Sequence, residues 1–228
     1  MDKNISFTDK TGLHLEYSPQ PASSYIPEWY KKMDSYTNKT GVPTDTGATG
    51  TIKKCMPVFD SINAGYIITT FVDIWVKYIP GQPSYYTWTD FEPLRFHRNA
   101  QVSTHFSNNK FDFPKLVNPW CIKTPQGYST LFLPPMHRDN PISIFPAVVD
   151  TDKYTLNVEF PFMLTNLEFD GLIPAGTPIA QVIPFKRDNW KMNISEGNTK
   201  ENINIDLSIR SKFYNVYKDK YRSKKQYK

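Results

Sequence analysis

The chain has 228 residues, a net charge of +5, 15% aromatic residues and 19 prolines. A chain of this length can bury roughly 70–75% of its unfolded surface, so folding requires neither disulfides nor a metal ion. Its two cysteines are too few for a disulfide framework or a zinc site. No run reaches the ~18 apolar residues that span a membrane, and residues 1–10 lack the apolar segment of a signal peptide, which predicts a cytoplasmic protein.

The positive charge is concentrated in residues 212–228, where seven Lys or Arg residues accompany one Asp. Because the rest of the chain is close to neutral, the overall charge does not by itself predict a nucleic-acid-binding protein. A basic tail is usually a solvated segment. Its functional alternative is a salt-dependent contact with nucleic acid or with an acidic surface.

The first fifty residues predict a hairpin, a short helix and a polar loop. Residues 1–18 alternate around a turn, and Pro27 is suited to the first position of a helix over 28–36. Residues 37–50 have almost no apolar content, which is typical of a surface loop. The functional alternative for this loop is a lid.

The next segment predicts strands. Residues 52–59 and 66–78 have the apolar density of strands and are separated by the Asn63-Ala64-Gly65 turn. The aromatic residues between 85 and 96 favour packing in a core, whereas an exposed cluster could stack nucleobases. Residues 97–119 are typical of a hairpin or a long loop beside that core.

The stretch from 120 to 185 carries the strongest β signal. Its apolar runs are short, rich in β-branched and aromatic residues, and bounded by Pro, Gly and Asx. The runs predict strands at 128–133, 142–149, 154–162 and 179–185. Further along, the apolar spacing at positions 213, 216, 217 and 221 predicts a C-terminal helix over 205–221.

Together these patterns predict a mainly β protein in three parts. An N-terminal part, 1–50, holds the hairpin, the helix and the polar loop. A β core follows at 51–185, and a C-terminal extension at 186–228 holds the second helix and the basic tail.

Common catalytic motifs are incomplete. The His137-Arg138-Asp139 triplet could begin an iron-binding triad, but no histidine follows position 137. As a kinase catalytic loop it needs an asparagine where Ile144 stands. The chain also lacks a phosphate-binding glycine loop and a nucleophile elbow. No two histidines have ligand spacing, so no metal site is predicted.

Three segments resemble the trimeric dUTPase and dCTP deaminase superfamily. Residues 176–183, Gly-Thr-Pro-Ile-Ala-Gln-Val-Ile, resemble its last core strand. Residues 147–152, Ala-Val-Val-Asp-Thr-Asp, are similar to its Gly-Val-Ile-Asp-x-Asp turn, and residues 125–134 are similar to its Pro-Gly-Tyr strand entry. The resemblance implies a β-clip fold, which is a distorted barrel, and a homotrimer.

The resemblance also implies site residues. Asp150 matches the carboxylate that orients the attacking water and is the best catalytic candidate. The ligand-binding candidates are Tyr66, Arg138, Asp150, Asp152, Tyr154 and Gln181. The alternative for the two aspartates is purely structural: they would cap their own turn by accepting local backbone N–H bonds.

The catalytic pattern of that superfamily is broken in several places. Pro135, Met136 and His137 stand where an Arg-Ser-Ser segment would hold phosphates, and Ile67 stands where the first motif has a carboxylate. Lys153 replaces the tyrosine that packs on the base. The glycine-rich closing tail is missing. No cofactor is expected, and Mg²⁺ would be needed only by a nucleotide-active protein.

A second resemblance covers most of residues 19–185. The segments at 19–22, 26–29, 54–57 and 124–128 are similar to an uncharacterised family of bacterial and phage proteins. The Asn-, Lys- and Ile-rich composition of this chain resembles the members of that family carried by cyanophages. This resemblance implies a phage protein located in the cytoplasm of the infected host cell, or in the virion if it is structural.

Three hypotheses about function follow. The favoured one is a non-catalytic, trimeric β-clip module for binding or assembly, with phage structural proteins or a nucleotide as possible partners besides itself. The alternative is a nucleotide pyrophosphatase or deaminase relative, acting on a dUTP- or dCTP-like substrate, with a rebuilt pocket. The third is a regulator that senses a nucleotide.

Overall fold

The computed structural model of the chain describes residues 3–9, 12–13, 15–37, 50–80, 83–103, 112–197, 199–211 and 216–228. Its contacts form two compact units. The first, called the β unit, comprises Met1–Pro27, Ile62–Arg187 and Tyr227, and the second comprises Glu28–Ser61, Asp188–Gln226 and Lys228. The predicted three-part division of the chain stays a prediction.

The strands described in the structure all belong to the β unit. In chain order they are β1 Ser6–Asp9, β2 Gln20–Pro21, β3 Tyr66–Thr69, β4 Ile74–Lys77, β5 Ser84–Tyr86, β6 Leu94–His97, β7 Phe113–Leu116, β8 Trp120–Lys123, β9 Tyr128–Leu133, β10 Ile142–Ile144, β11 Ala147–Val149, β12 Phe160–Leu164, β13 Gly171–Ile173 and β14 Pro178–Lys186.

These strands form four antiparallel sheets. The largest has the order β11-β9-β14-β3-β2, the next β10-β12-β7-β6, and the smaller ones β13-β4-β5 and β1-β8. The prediction of a mainly β chain with few helices is confirmed. The described strands do not close into a barrel.

The core of the β unit is filled by alternate residues of its strands. In β12, Phe160, Phe162 and Leu164 are buried whereas Met163 is exposed, as expected when successive side chains point to opposite faces. Phe132 of β9 contacts Phe160, with ring centroids 5.6 Å apart. One continuous cluster of buried side chains therefore joins the sheets.

The five-stranded sheet includes β9, β11 and β14, which lie in the segments 125–134, 147–152 and 176–183 or overlap them. Its central strand β14 pairs with β9 on one side and β3 on the other. Gly65 begins the entry into β3 with φ +71°, and a Cβ built there would fall against the carbonyl oxygen of Val182. The predicted Asn-Ala-Gly turn is thus confirmed, and it needs glycine for two separate reasons.

Two predicted strands in this part of the chain are wrong. Residues 52–59 form a short 3₁₀ helix followed by a helix, because Pro57 lies in the first helical turn, where a missing N–H costs nothing. Residues 154–159 are not a strand, although β12 begins at Phe160. There the chain is held instead by a bond from Asn157 Nδ2 to the backbone oxygen of Asn118, and Leu156 is exposed.

Other predictions are confirmed in part. β9 and β14 match the predicted strands at 128–133 and 179–185, whereas 142–149 is divided into β10 and β11. The N-terminal hairpin is wrong, because β1 pairs with β8. β6 and β7 form the antiparallel pair that bounds residues 98–112. Most of the predicted 37–50 loop lies outside the described residues.

The aromatic segment from 85 to 96 is both core and surface. Tyr85 packs edge-on against Phe162, with ring centroids 5.7 Å apart, and burial raises its pKa to about 12. Tyr86 and Trp88 are exposed. The alternation of β5 explains the difference between the two neighbouring tyrosines.

The helices lie largely in the second unit. They are α1 Glu28–Lys32, α2 Met56–Ile62 and α3 Thr199–Ser211, followed by a π-helical turn at Tyr217–Tyr221; short 3₁₀ turns occupy Leu15–Tyr17, Ala22–Tyr25, Ile52–Lys54 and Asn99–Gln101. The predicted helices at 28–36 and 205–221 are therefore present with different bounds. Among the described residues, no helix has the length and hydropathy needed to cross a membrane.

Within the second unit, the basic C-terminal segment is bonded to α2. Arg222 donates to both carboxylate oxygens of Asp60, with Nη2 at 2.6 Å from Oδ1, and Lys225 Nζ lies 3.0 Å from Oδ2. The bond from Arg222, aided by Lys225, lowers the pKa of Asp60 although burial opposes it. Two tail cations are thus already paired with an acid of the same chain.

Candidate functional site

The two aspartates of the 147–152 segment lie in a tight turn after β11. Val149 pairs with Thr130 of β9, and the turn is then closed by the backbone oxygen of Asp150, which accepts from the N–H groups of Lys153 at 2.9 Å and Tyr154 at 2.8 Å. The turn therefore needs no side-chain cap. Both carboxylates are free to reach other strands.

Asp152 reaches two distant segments. Its Oδ2 accepts from the backbone N–H of Gly127 at 2.8 Å, and both of its oxygens accept from the guanidinium of Arg187, at 2.9 Å from Nη1 and 2.5 Å from Nη2. Such a bidentate pair is the strongest geometry available to a carboxylate and an arginine. Only 4% of the Asp152 side chain is exposed.

Asp150 makes looser contacts with the same partners. Its Oδ1 accepts from Ser129 Oγ at 2.6 Å and lies 3.2 Å from Arg187 Nη1. Half of its side chain is exposed. The prediction that the two carboxylates cap their own turn by local backbone bonds is wrong for the described contacts, because their partners lie on β9, on the turn before it and just after β14.

Arg187 is the center of this arrangement, and we call Asp150, Asp152, Arg187 and Ser129 the carboxylate–arginine cluster. Besides both carboxylates, Nη1 of Arg187 lies within hydrogen-bond distance of the Tyr128 backbone oxygen and of Ser129 Oγ. The backbone N–H of Arg187 donates to the Gly127 oxygen at 2.9 Å. The guanidinium of Arg187, which directly follows β14, thus joins the turn after β11 to β9.

The pKa values of the pair follow from these contacts. The hydrogen bond from Arg187 holds the pKa of Asp152 at about 2, well below its usual range, and the Gly127 N–H lowers it further against the effect of burial. The same hydrogen bond raises the pKa of Arg187. Both groups are therefore charged throughout the physiological range.

Beneath the cluster lies a set of buried hydroxyl groups. Thr151 Oγ1 is 2.8 Å from the Oγ1 atoms of both Thr124 and Thr130, and Thr124 also donates to the Tyr128 oxygen. All three threonines are buried. Because each hydroxyl has a partner, burial costs little and the turn is held in one conformation.

Gln181 in β14 and Arg138 in the connection between β9 and β10 lie elsewhere in the β unit. Gln181 is fully buried; its Oε1 accepts from the Met136 N–H at 2.9 Å and its Nε2 donates to the Ala64 oxygen at 2.7 Å. Arg138 donates to the backbone oxygens of Tyr25 and Met136. Burial lowers the pKa of Arg138 to about 10. Both side chains therefore connect different segments of the β unit to one another.

The remaining candidates are also separate from the carboxylates, or touch them only through the backbone. Tyr66 pairs with Val182 of β14, so three strand spacings, about 14 Å, separate it from β11. Tyr154 adjoins Asp150 through its backbone, and its side chain is 48% exposed. The structure thus brings together Asp150, Asp152 and Tyr154 but not Tyr66, Arg138 and Gln181.

Sequence reasoning missed Arg187 and Ser129. Ser129 lies in the 125–134 segment, where no polar role is predicted for it, and Arg187 belongs to no recognised motif and is 35 residues from Asp152. The available signal was weak: a basic pair, Lys186 and Arg187, directly follows the last predicted strand. In the segment that replaces the missing Arg-Ser-Ser motif, Pro135 is buried and the Met136 N–H is bonded to Gln181.

The chemistry open to the cluster is limited. Its two carboxylates and one guanidinium sum to a charge of −1, and no group of three His, Cys, Asp or Glu residues within the described ranges is arranged to hold a metal. A pocket in the β unit lies between β3 and β7, lined in part by Ile68, Leu116 and Ile179, with a volume of about 10 Å³. That volume suits about one water molecule, not a nucleotide.

Comparisons with known proteins identify no family. No protein-family model matches the sequence, and no curated protein matches it. Among solved structures, the chain is similar to a mutant dUTPase from phage phi11 of S. aureus, whose structure contains a structural Mg(II) ion. The TM-score is 0.30 and the identity 12%, over 79% of this chain and 97% of that one. A similarity this low supports no argument about activity.

Proposed function

We propose that this protein is a non-catalytic β-clip module, of the phage type that its motifs resemble, which binds or assembles with other subunits as a homotrimer. The observation that carries the proposal is the carboxylate–arginine cluster. Its guanidinium is already bonded to Asp152 in bidentate geometry and lies beside Asp150. Asp150, the position that the resemblance assigns to catalysis, thus lies beside an ion pair that Arg187 makes with Asp152.

Electrostatics support this reading. Phosphoryl chemistry depends on cations that neutralise the charge developing on phosphate oxygens, and loss of one such contact costs on the order of 10²–10³ in rate. The guanidinium of the cluster is already paired with Asp152, so it is not available to neutralise charge on a phosphate beside Asp150. For Arg187 to bind phosphate, it would have to leave the 4%-exposed carboxylate of Asp152 uncompensated.

Arg138 does not offset this loss. Its Nε and Nη2 donate to the Tyr25 oxygen at 3.0 and 2.6 Å, and its Nη1 donates to the Met136 oxygen. These bonds keep the guanidinium at the opposite end of β9 from the aspartates. The alternative, a dUTP- or dCTP-active pyrophosphatase or deaminase relative, would therefore need a cation other than Arg138 and Arg187.

The test is a turnover assay with each deoxynucleoside triphosphate and Mg²⁺, which follows both pyrophosphate release and deamination. We expect no turnover near 1 s⁻¹, which lies at the low end of typical enzyme rates, for the wild type or for Asp150→Asn. A dUTPase measured in parallel controls the assay. Turnover in the wild type that disappears in Asp150→Asn would contradict the proposal and establish the enzyme alternative.

Further partners belong to the same proposal. Besides itself, the module binds phage structural proteins or senses a nucleotide. The basic tail binds an acidic surface or nucleic acid, and the protein lies in the host cytoplasm or in the virion. The pairing of Arg222 and Lys225 with Asp60 favours a tail that is partly docked. A salt-dependent affinity for single-stranded DNA, measured by fluorescence anisotropy, would support the nucleic-acid partner.

A further inference from the structure

Three large side chains lie in a row on the outer face of the three-stranded sheet. Leu172 of β13 pairs with Trp75 of β4, and Trp75 pairs with Tyr86 of β5. These three residues, which we call the outer row, are 39%, 45% and 50% exposed. Because directly paired residues of neighbouring strands point to the same face, the three side chains stand next to one another. The outer row is therefore a strip one side chain wide across three strands.

The backbone under the outer row is held by the core of the β unit. Both neighbours of Trp75 within β4 are buried. Tyr85 packs edge-on against Phe162, with ring centroids 5.7 Å apart, and the alternation of β5 then directs Tyr86 away from the core. A surface whose backbone is already fixed loses little conformational freedom when it binds a partner.

The two aromatic residues of the outer row bring hydrogen-bond donors to this surface. The indole N–H of Trp75 only donates, and the hydroxyl group of Tyr86 both donates and accepts. Neither side chain makes a hydrogen bond or a ring contact with another residue in the described part of the chain. Their rings and their polar atoms are thus open to a ligand.

The charged groups next to the outer row are already paired. Lys77 lies two residues beyond Trp75 on the same face, and its Nζ is 2.9 Å from the carboxylate of Asp170. Asp73, two residues before Trp75, accepts from the backbone N–H of Ala175 at 2.7 Å. The side chains of Lys77, Asp170 and Asp73 sum to a charge of −1. These groups therefore offer no free cation to the phosphates of a nucleic acid, although the aromatic rings could stack on its bases.

A proline-rich segment has the chemistry that this surface lacks. In the polyproline II conformation the backbone makes no internal hydrogen bonds, so its carbonyl oxygens are free to accept. Proline has no N–H group, so such a segment brings few donors that need acceptors of their own. An extended segment without proline would bring one N–H per residue, and the backbone of β4 is already paired on both sides. The outer row thus favours an uncharged ligand rich in acceptors.

The dimensions of such a ligand agree with those of the outer row. Neighbouring strands lie ~4.8 Å apart, so the row spans about 10 Å from Tyr86 to Leu172. Polyproline II has three residues per turn and rises ~3.1 Å per residue, so residues i and i+3 point the same way about 9 Å apart. Two prolines in the spacing Pro-x-x-Pro would therefore contact the two ends of the row, with Trp75 between them.

We propose that the outer row is a binding site for a proline-rich segment of another protein in the polyproline II conformation. Segments of this kind bind aromatic-lined surfaces because their conformation is preformed, so that little entropy is lost on binding. The site lies in a different sheet from the carboxylate–arginine cluster. It goes beyond the proposed function, since it depends neither on the homotrimer nor on the absence of catalysis.

The test measures the binding of fluorescein-labelled decaproline to the full-length chain by fluorescence anisotropy. A glycine-serine peptide of equal length is the ligand control. Trp75→Ala and Tyr86→Ala remove the aromatic side chains. Phe185→Ala is the protein control, because Phe185 is 38% exposed and lies in β14 of another sheet. All three side chains are exposed, so the circular dichroism spectra of the variants should match the wild type.

We expect decaproline to bind saturably to the wild type and to Phe185→Ala, and the glycine-serine peptide not to bind. Trp75→Ala and Tyr86→Ala should each weaken binding at least ~30-fold, as expected for the loss of an interface hot spot. Trp75→Phe keeps an aromatic ring but removes the N–H donor. This variant should therefore bind more weakly than the wild type and more tightly than Trp75→Ala.

Three results would overturn the assignment. In the first, decaproline does not bind the wild type saturably at concentrations up to ~1 mM. In the second, it binds but Trp75→Ala and Tyr86→Ala leave the affinity unchanged, which places the peptide elsewhere. In the third, labelled single-stranded DNA binds the wild type and not Trp75→Ala, while decaproline does not bind, which assigns the row to nucleobases. The turnover assay with deoxynucleoside triphosphates is independent of all three results.

Discussion

At the scale of single residues, Asp152 is the group whose charge contributes most clearly to the fold. Its pKa is about 2, against an ordinary value of 3.8, chiefly because Arg187 hydrogen-bonds to it. A carboxyl whose pKa is lowered by folding stabilises the protein above its unfolded pKa. That contribution is lost as the pH falls through the folded pKa.

We therefore expect Asp152→Asn to unfold at a lower temperature than the wild type at pH 7. The difference in unfolding temperature should have its full size above about pH 4. It should shrink as the pH falls from 4 to 2, because the wild-type carboxyl becomes protonated over that range. Thermal unfolding followed by circular dichroism measures it. Asp139→Asn, at an exposed position, is the control and should show little difference. A gap between the Asp152 variant and the wild type that persists unchanged at pH 2 would contradict the ion-pair explanation.

Gln181 illustrates a second effect of a single residue, because its buried side-chain amide hydrogen-bonds to two backbone groups, the Met136 N–H and the Ala64 oxygen. Gln181→Met keeps the side-chain length but leaves the Met136 N–H and the Ala64 oxygen without this partner. We expect the free energy of unfolding to fall by about 1–3 kcal/mol. Urea titration measures the loss. Gln126→Met, at an exposed position, should change stability by less than about 0.5 kcal/mol. Equal effects at both positions would show that the Gln181 bonds do not stabilise the fold.

At the scale of elements, the turn before β3 depends on a glycine. Gly65 and Gly127 both have positive φ, at +71° and +83°. A Cβ at Gly127 would meet nothing within 4 Å, whereas a Cβ at Gly65 would fall against the backbone of Val182 in β14. The two positions therefore share the conformational cost and differ in the steric one.

Gly127→Ala should lose about 1–2 kcal/mol, the usual cost of left-handed backbone for an L-residue. Gly65→Ala should lose about 1–3 kcal/mol more, because β3 and β14 must move apart to admit the methyl group. Chemical denaturation of the two variants gives the comparison directly. If both lose the same amount, the close approach of Gly65 to Val182 is not a determinant of stability.

At the scale of the whole molecule, the sheets leave strand edges and apolar side chains open to solvent. β11, β2 and β5 each have one unpaired edge among the described strands. Such edges favour association, and closed symmetric oligomers remove the hazard.

Multi-angle light scattering should accordingly give a mass of three 26.4 kDa chains at micromolar concentration. A monomer mass under these conditions would contradict the homotrimer.

The sequence by itself determined those elements whose cause is local. β9 and β14 follow from short apolar runs between turn-forming residues, and the turn at Gly65 follows from a glycine between two apolar segments. Local alternation misled at residues 154–159, because Leu156 is exposed although it continues the pattern of β12. At 52–59, apolar density could not distinguish a strand from a helix, and Pro57 at the start of α2 decided the outcome.

Only the tertiary structure decided how the candidate site is built. The Asp-Thr-Asp turn was visible in the sequence, but its partner Arg187 lies 35 residues beyond Asp152 and becomes a neighbour only because β14 pairs with β9. The same pairing sets Gln181 and Arg138 at the opposite end of these strands. Distances between strands depend on register, which is a long-range property, and so the sequence predicted which residues could act without showing which of them meet.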